Sequence, residues 1–335
     1  MTRPAVGIGE LLWDVFPDGR KVAGGAPFNF AFHCHQLGHA GTIVSRVGDD
    51  DLGRELRAEV RRLGLTDEFI QTDPERPTGT VRVAVDVAGV PSYRITEDVA
   101  WDHLTWDEPT AQLMTQAAAV CFGTLGQRSP AAREAIDLFR WNVYGFWGRA
   151  RPLEFLPWID PDAERSPGVV VFDINLRPPF VEPTSLKESF RNTNWVKLNA
   201  DEYGVLAELF GLPTGVEPDL EAVAGIGPVA ADTVVLTRGA AGCLVRQVRM
   251  VDDGDDWFEP LAEVVEEPAP PARVVDTVGA GDAFTAAMVC LHLEGRPLRD
   301  CVRFASHYAA RVCEYRGATP RIDRAAVEQA AFGPP

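Results

Sequence analysis

Within DLGRELRAEVRRLG, Leu52, Leu56, Val60 and Leu63 recur at the spacing of one helical face, with charged residues filling the positions between. That period predicts an amphipathic helix. The preceding GTIVSRVGDD is a short apolar run closed by an acidic turn and predicts a buried strand. The exchange recurs along the chain. PAVGIGELLWDVFP reads as a strand followed by a turn, and GGAPFNFAFHCHQLG as a helix from about Pro27 with Gly38 as its stop. AAVCFGTL and GVVVFDINL read as strands, NWVKLNADEYGVLAELFG as a strand passing into a helix, and TVVLTRGAAGCLVRQ as strand, tight turn and strand. RVVDTVGAGDAFTAAMVCLHLEG reads as a strand, a Gly-rich turn and a long helix ended by Gly295, with LRDCVRFASHYAARVCEYRGA a further helix. Strands alternating with helices predict an α/β fold: a parallel sheet with crossover helices.

TGTVRVAVDVAGVPSYRI breaks the alternation. Val81, Val83, Val85 and Val87 alternate with polar or small residues, and AGVP turns the chain into SYRI. This is a hairpin with one apolar face. Two antiparallel strands cannot stand as a domain, so it reads as a flap on the main sheet. VEEPAPPARV reads as a Pro-rich loop rather than a linker, and residues 1–335 as a single domain. A Trp- and Pro-rich stretch at about 141–167 could be a packed insertion, a partner surface or a substrate-side loop; a surface insertion packing on its own aromatics is the plainest reading.

The composition, with 46% apolar and 24% charged residues, is that of a soluble globular protein. No apolar run is long enough to span a bilayer, and the N-terminus lacks the regions of a signal peptide, so a cytoplasmic protein is expected. A formal charge of -17 disfavours nucleic acid and anionic membrane as partners. An anionic substrate would need a locally positive site. Lys21, Lys187 and Lys197 are the only lysines, which leaves arginines and backbone N–H groups to bind anions. The six cysteines form no CxxC pair and read as buried thiols.

GAGD is the most informative short run. Gly279 and Gly281 permit a tight turn with N–H groups pointing one way, and the following helix adds the positive end of its dipole. Together they make an anion site without lysine. Asp282 falls in the first turn of that helix. Spacing alone favours a helix cap; the alternative is a general base beside a phosphate. Other candidates carry less. His35 and His39 have the spacing of a zinc pair, but Gly38 lies between them and no remote cluster completes a site. GIGELL lacks the third glycine of a dinucleotide fingerprint, and GDDD reads as a solvated acidic turn. Asp173, Asn175 and Arg177 either reach a site from a strand end or support one. Arg82 and Arg94 face a ligand or solubilise the hairpin. No GxxxxGK followed by Ser or Thr occurs.

DTVGAGDAF closely resembles the C-terminal signature of the ribokinase-like (PfkB) sugar and nucleoside kinases, and GGAPFNFAFHCHQLG resembles their N-terminal signature. RVGDDDLG, FDINLR, KLNADE and TRGAAG are similar to further family segments, in the family's order, from Gly7 to about Thr319. The resemblance implies a three-layer α/β/α core sheet with a small β lid, formed by about 14–22 and 79–95. It implies ATP-dependent phosphorylation of a sugar primary hydroxyl. Asp282 would be the base, and the N–H groups of Gly279, Ala280, Gly281 and Asp282 the anion hole. Asp14, Gly24, Gly25 and Asn29 would bind the sugar. Asn199 and Glu202 match the NxxE motif that helps place Mg²⁺ and phosphates through water. Thr237, Gly239 and Gly242 would border the nucleotide phosphates, and Ser306, where the family often has Asn, the adenine. Asp276 and Thr277, with carbonyls near Cys313 and Gly317, resemble a monovalent-cation site, which implies activation by K⁺. GELLWD with GGAPFN is most similar to fructokinases, so fructose is the first expected substrate, with ribose, 2-keto-3-deoxygluconate or a nucleoside as alternatives. A non-catalytic sugar sensor would need a lost base or a broken anion hole, and both are intact. A homodimer through the lid is a further expectation.

Overall fold

Residues 169–173 are buried throughout, and their side chains alternate between two cores. Val170 and Phe172 join one core, and Val169 and Val171 the other. Neighbouring strands do the same, which is the mark of a parallel sheet covered on both faces. The computed structural model describes residues 3–85, 91–145, 168–215, 217–252 and 258–334.

In chain order the first half contains β1 (Pro4–Ile8), β2 (Leu12–Val15), β3 (Lys21–Gly24), α1 (Ala26–Gln36), β4 (Ala40–Gly48), α2 (Asp51–Arg62), β5 (Ile70–Asp73), β6 (Thr80–Val85), β7 (Pro91–Ile95), α3 (Glu108–Gln116), β8 (Ala119–Phe122) and α4 (Pro130–Gly145). The second half contains β9 (Val169–Asp173), α5 (Pro183–Ser189), β10 (Trp195–Asn199), α6 (Ala200–Phe210), α7 (Leu220–Ala224), β11 (Thr233–Thr237), β12 (Cys243–Asp252), β13 (Phe258–Glu267), α8 (Ala280–Leu293), α9 (Leu298–Val312) and α10 (Arg324–Phe332). The main sheet has the order β13-β12-β11-β10-β9-β8-β1-β4-β5. It is parallel from β11 to β5, with β12 and β13 antiparallel at one edge. Helices α3 to α7 pack on one face, and α8 and α9, with parts of α1 and α10, on the other. This is the expected three-layer α/β/α arrangement. A second sheet has the order β3-β2-β6-β7. Among the described residues no helix is long and apolar enough to cross a membrane.

Several elements differ from the sequence reading. PAVGIGELLWDVFP makes two strands in different sheets, because the chain breaks at Gly9, where φ is +140°. RVVDT forms no strand; Val274 and Val275 are 62% and 48% exposed, so no neighbouring strand or core draws them in. β12 is antiparallel to β11 on one side and, on the other, to the unforeseen β13, which takes in the VEE of the Pro-rich segment. In the second sheet Arg82 stands opposite Arg94 with both exposed, while Val81 and Val83 are buried. Asp50 of GDDD caps α2, accepting from the Gly53 amide at 2.7 Å. Five of the six cysteines are buried and all are free thiols. Of the Trp-rich stretch, residues 146–167 lie outside the described residues.

Two glycines make opposite predictions. A Cβ on Gly41 would lie 1.9 Å from the Ala31 carbonyl oxygen, which is backbone and cannot yield cheaply. Gly41→Ala should cost about 3 kcal/mol in urea unfolding. Gly204 lies inside α6 with nothing within 4 Å of such a Cβ. Gly204→Ala should raise stability by about 0.5–1 kcal/mol. Equal effects would contradict this packing.

Candidate active site

The parallel strands deliver polar residues to one edge of the sheet. Beyond β1 comes Glu10, β9 ends in Asp173, β10 in Asn199 and β11 in Thr237. Ligands of open α/β sheets bind in this crevice at the strand carboxyl ends. α8 starts there. Gly279 is its N-cap, with φ of +78°, and no side chain caps the helix. The Ala280 amide donates to the Thr277 carbonyl at 3.3 Å. Among the described residues the Gly281 and Asp282 amides donate to no protein acceptor. They are the orphan donors of a helix N-terminus.

Asp282 does not cap its own helix. Its Oδ2 accepts from Asn29 Nδ2 at 2.7 Å, across 253 residues of sequence. Its Oδ1 has no protein donor among the described residues. Burial and the charge of Asp173 push its pKa up to about 6, against the opposing charge of Lys197. The cap reading is thereby set aside: the carboxylate points to α1.

α1 supplies the other side. A Cβ on Gly25, where φ is +118°, would lie 2.3 Å from the Glu10 carbonyl oxygen, so only glycine lets the chain pass here. Gly24 lies against Asp14: a Cβ there would be 2.8 Å from Asp14 Oδ2. Burial raises the Asp14 pKa to about 6, with the Arg177 charge opposing. One turn beyond Asn29, buried His33 ties α1 to the far side of the site. Its Nε2 lies 2.9 Å from the Ala318 carbonyl, which can only accept, so Nε2 carries the proton and Nδ1 accepts from the Tyr308 hydroxyl at 3.1 Å. Burial holds this histidine neutral, with its pKa lowered to about 4. Ala318 in turn packs against Gly279.

Asn199 and Glu202 form a capping box on α6, the Asn199 side chain accepting from the Glu202 amide at 2.9 Å and Glu202 from the Asn199 amide at 2.8 Å. Glu202 also accepts from the Leu176 amide at 2.9 Å. Thr237 donates to the Leu198 carbonyl at 3.4 Å. Gly239 has φ of +56° and open space beside it, whereas a Cβ on Gly242 would strike the Glu267 carbonyl at 2.1 Å. Gly242 is thus a packing glycine as well as a turn residue. Ser306 is buried where α9 meets β12, 3.6 Å from Cys243 Sγ. Asp276 accepts from the Gly317 amide at 2.9 Å and the Val278 amide at 3.1 Å, and its own amide lies 3.2 Å from the Cys313 carbonyl. Asp276, Thr277, Cys313 and Gly317 therefore come together. His35 and His39 diverge: His39 faces Glu294 at 3.1 Å, and His35 packs against Gly64.

Three groups escaped the sequence reading or were left open by it. Glu10 is buried, accepts from the Ala26 amide at 3.2 Å, and leaves Oε2 without a partner. Burial raises its pKa to about 7. Asn29 Oδ1 is likewise buried and unpartnered. Lys197 and Asp173 form a buried ion pair of 3.0 Å, and Thr285 donates to Asp173 at 3.0 Å. The available signal was a lysine set inside the apolar strand WVKLN.

The model of the pfkB family carbohydrate kinases matches residues 15–140 and 162–324. An uncharacterised sugar kinase of Pyrococcus horikoshii is 27% identical, over 94% of this chain and 92% of that protein. Its structure in complex with ATP superposes with a TM-score of 0.73 at 25% identity, covering 97% of each chain. Fructokinase-1 of Zea mays is 25% identical over 95% of this chain and 94% of that one. The 2-dehydro-3-deoxygluconokinase of Dickeya dadantii is 27% identical over 82% and 81%.

Proposed function

Because this chain belongs to the pfkB family of carbohydrate kinases, we propose that it transfers the γ-phosphoryl group of ATP to a primary hydroxyl of a neutral sugar, fructose first among them. One observation carries the reading: the Asp282 carboxylate, held by Asn29, stands beside the unpaired amides of Gly281 and Asp282. A base and an anion site thus share one helix turn. The free Oδ1 takes the proton of the attacking hydroxyl, while the amides receive the charge on the phosphoryl group. Phosphoryl transfer asks for such positioning and charge neutralisation more than for covalent chemistry.

The acceptor-rich pocket supports a neutral polyol. Asp14, the open oxygens of Glu10 and Asn29, and Asp282 all need donors, which sugar hydroxyls supply. A sugar acid would meet the carboxylates of Asp14 and Asp282 and the partly charged Glu10, with Arg177 as the opposing charge. Strands β2, β3, β6 and β7 act as the lid over this pocket. Mg²⁺ would supply charge neutralisation of the phosphates, and Asn199 and Glu202, fixed in their capping box at the end of β10, would hold it through water. The Asp276 carboxylate and the nearby Cys313 carbonyl are hard oxygens of the kind K⁺ takes.

An ATP-consumption screen across hexoses, pentoses, sugar acids and nucleosides tests the reading. Fructose should give the highest kcat/KM; a preference for 2-keto-3-deoxygluconate would remove the neutral-sugar argument, and activity with none of them the kinase reading. Exchanging K⁺ for choline should slow the wild type and leave Asp276→Ala unaffected. Equal rates of the wild type in both salts would dismiss the cation site.

A further inference from the structure

Lys197 is one of three lysines in the chain, and it is buried, 7% exposed, beneath the first turn of α8. Its ammonium is fixed from β9 by Asp173 Oδ1 at 3.0 Å. The Thr285 hydroxyl, 3.0 Å from Asp173 Oδ2 and 3.0 Å from the Gly281 carbonyl, locks that carboxylate to α8. A Cβ on Gly281 would lie 2.8 Å from Lys197 Nζ. Gly281 shows no positive φ. The glycine lets the ammonium lie directly against the first turn of α8, where a methyl group would push it aside.

The placement is electrostatically costly. A helix N-terminus carries about half a positive charge and favours anions, so a cation against it is repelled. Burying an ammonium costs several kcal/mol more. Burial works against the charged lysine, but Asp173, Glu202 and Asp282 outweigh it and hold the ammonium protonated. The charge most complementary to lysine and helix end together is an anion on the other side of the turn, at the Gly281 and Asp282 amides.

We propose that Lys197 is a positioning residue for phosphoryl transfer: acting through the first turn of α8, its ammonium holds the negative charge of the transferring group at those amides. Asp173 and Thr285 aim it, and Gly281 makes room for it. The inference rests on the kinase reading above. A purely structural ion pair would instead only bind β9, β10 and α8 together.

Removing both charges separates the two. Lys197→Gln alone strands a buried carboxylate, so the double variant Lys197→Gln with Asp173→Asn, which keeps a neutral hydrogen-bonding pair, is the informative protein. In steady-state kinetics its kcat should stay about 10²-fold below wild type with the sugar KM within threefold. A double variant with wild-type kcat overturns the proposal. A second measurement does not need turnover: the preference for ADP with aluminium fluoride, a mimic of the transferring group, over ADP alone, read by calorimetry. It should fall by about the same factor in the double variant, and an unchanged preference overturns the proposal. Should the double variant not fold, Gly281→Ala displaces the ammonium while keeping both charges; it should weaken the same preference, and an unaltered one again overturns the proposal. A wild type that phosphorylates no sugar defeats the kinase reading, and the binding comparison still decides the role of Lys197.

Discussion

Asp282→Asn should lower kcat by about 10²- to 10⁴-fold, with the KM values for sugar and ATP changed only a few-fold. The amide keeps the size of the side chain and can still meet Asn29, but it cannot take a proton. The expected pattern is loss of an interaction made in the transition state, with ground-state binding preserved. Near wild-type kcat in the variant would remove Asp282 from the chemistry. The wild type should also show an acid limb. With the Asp282 pKa raised to about 6 by burial and by Asp173, the working carboxylate form is lost as pH falls below about 6. There kcat/KM should drop about tenfold per pH unit.

The same shifts bear on stability, with the opposite sense. Asp14 and Asp282, both raised to about 6, and Glu10, raised to about 7, bind protons in the folded state at pH values where the unfolded chain has released them. Stability therefore falls as pH rises from the ordinary carboxylate range through 6 to 7. At neutral pH Asp14 and Asp282 are held charged at the expense of the fold, and Glu10 is charged only in part.

Gly279→Ala is expected to be nearly as damaging. With φ of +78°, the residue is left-handed, which costs a side-chain-bearing residue about 1–2 kcal/mol. The added Cβ would also sit 2.5 Å from Ala318 Cβ, 2.6 Å from its Cα and 2.8 Å from its carbonyl oxygen. Relief requires moving either the start of α8 or the loop around Ala318. The first tilts the Gly281 and Asp282 amides, the proposed anion hole. The second disturbs the His33 contact and, next door, the Gly317 amide that binds Asp276. A fall in kcat of about 10²- to 10³-fold should follow, the cost of a misaimed anion-hole donor. Urea unfolding should show a loss of about 2–3 kcal/mol. A variant with kcat within threefold of wild type, at equal folded fraction, would show that the anion hole does not depend on this turn.

Much of this was legible in the linear chain. The periodicity of α2, the stop of α1 at Gly38 and the buried β4, β8 and β9 rest on local rules of spacing and turn chemistry, and the structure has them. The order of the family-like segments pointed to the fold and to Asp282, Asn29 and Gly279. Where the reading failed, non-local packing decided. PAVGIGELLWDVFP has one apolar pattern, yet a single φ at Gly9 sends its halves into different sheets. RVVDT has strand-forming residues but stays exposed and unpaired with any strand, and the edge beside β12 is taken by β13 instead.

Periodicity, caps and glycine geometry act over a few residues, so the linear chain is enough for the α/β class and for the Gly-rich turn that ends in an aspartate; the enzyme family follows from the ordered resemblance of whole segments. The tertiary structure alone decided what that aspartate does not do: it caps nothing, since Asn29 from 253 residues away holds it. It alone placed Lys197 under Gly281 and left Glu10 with an open oxygen. Desolvation and Coulomb energy depend on distance in space and on burial. Neither can be read from the positions of charges along the chain.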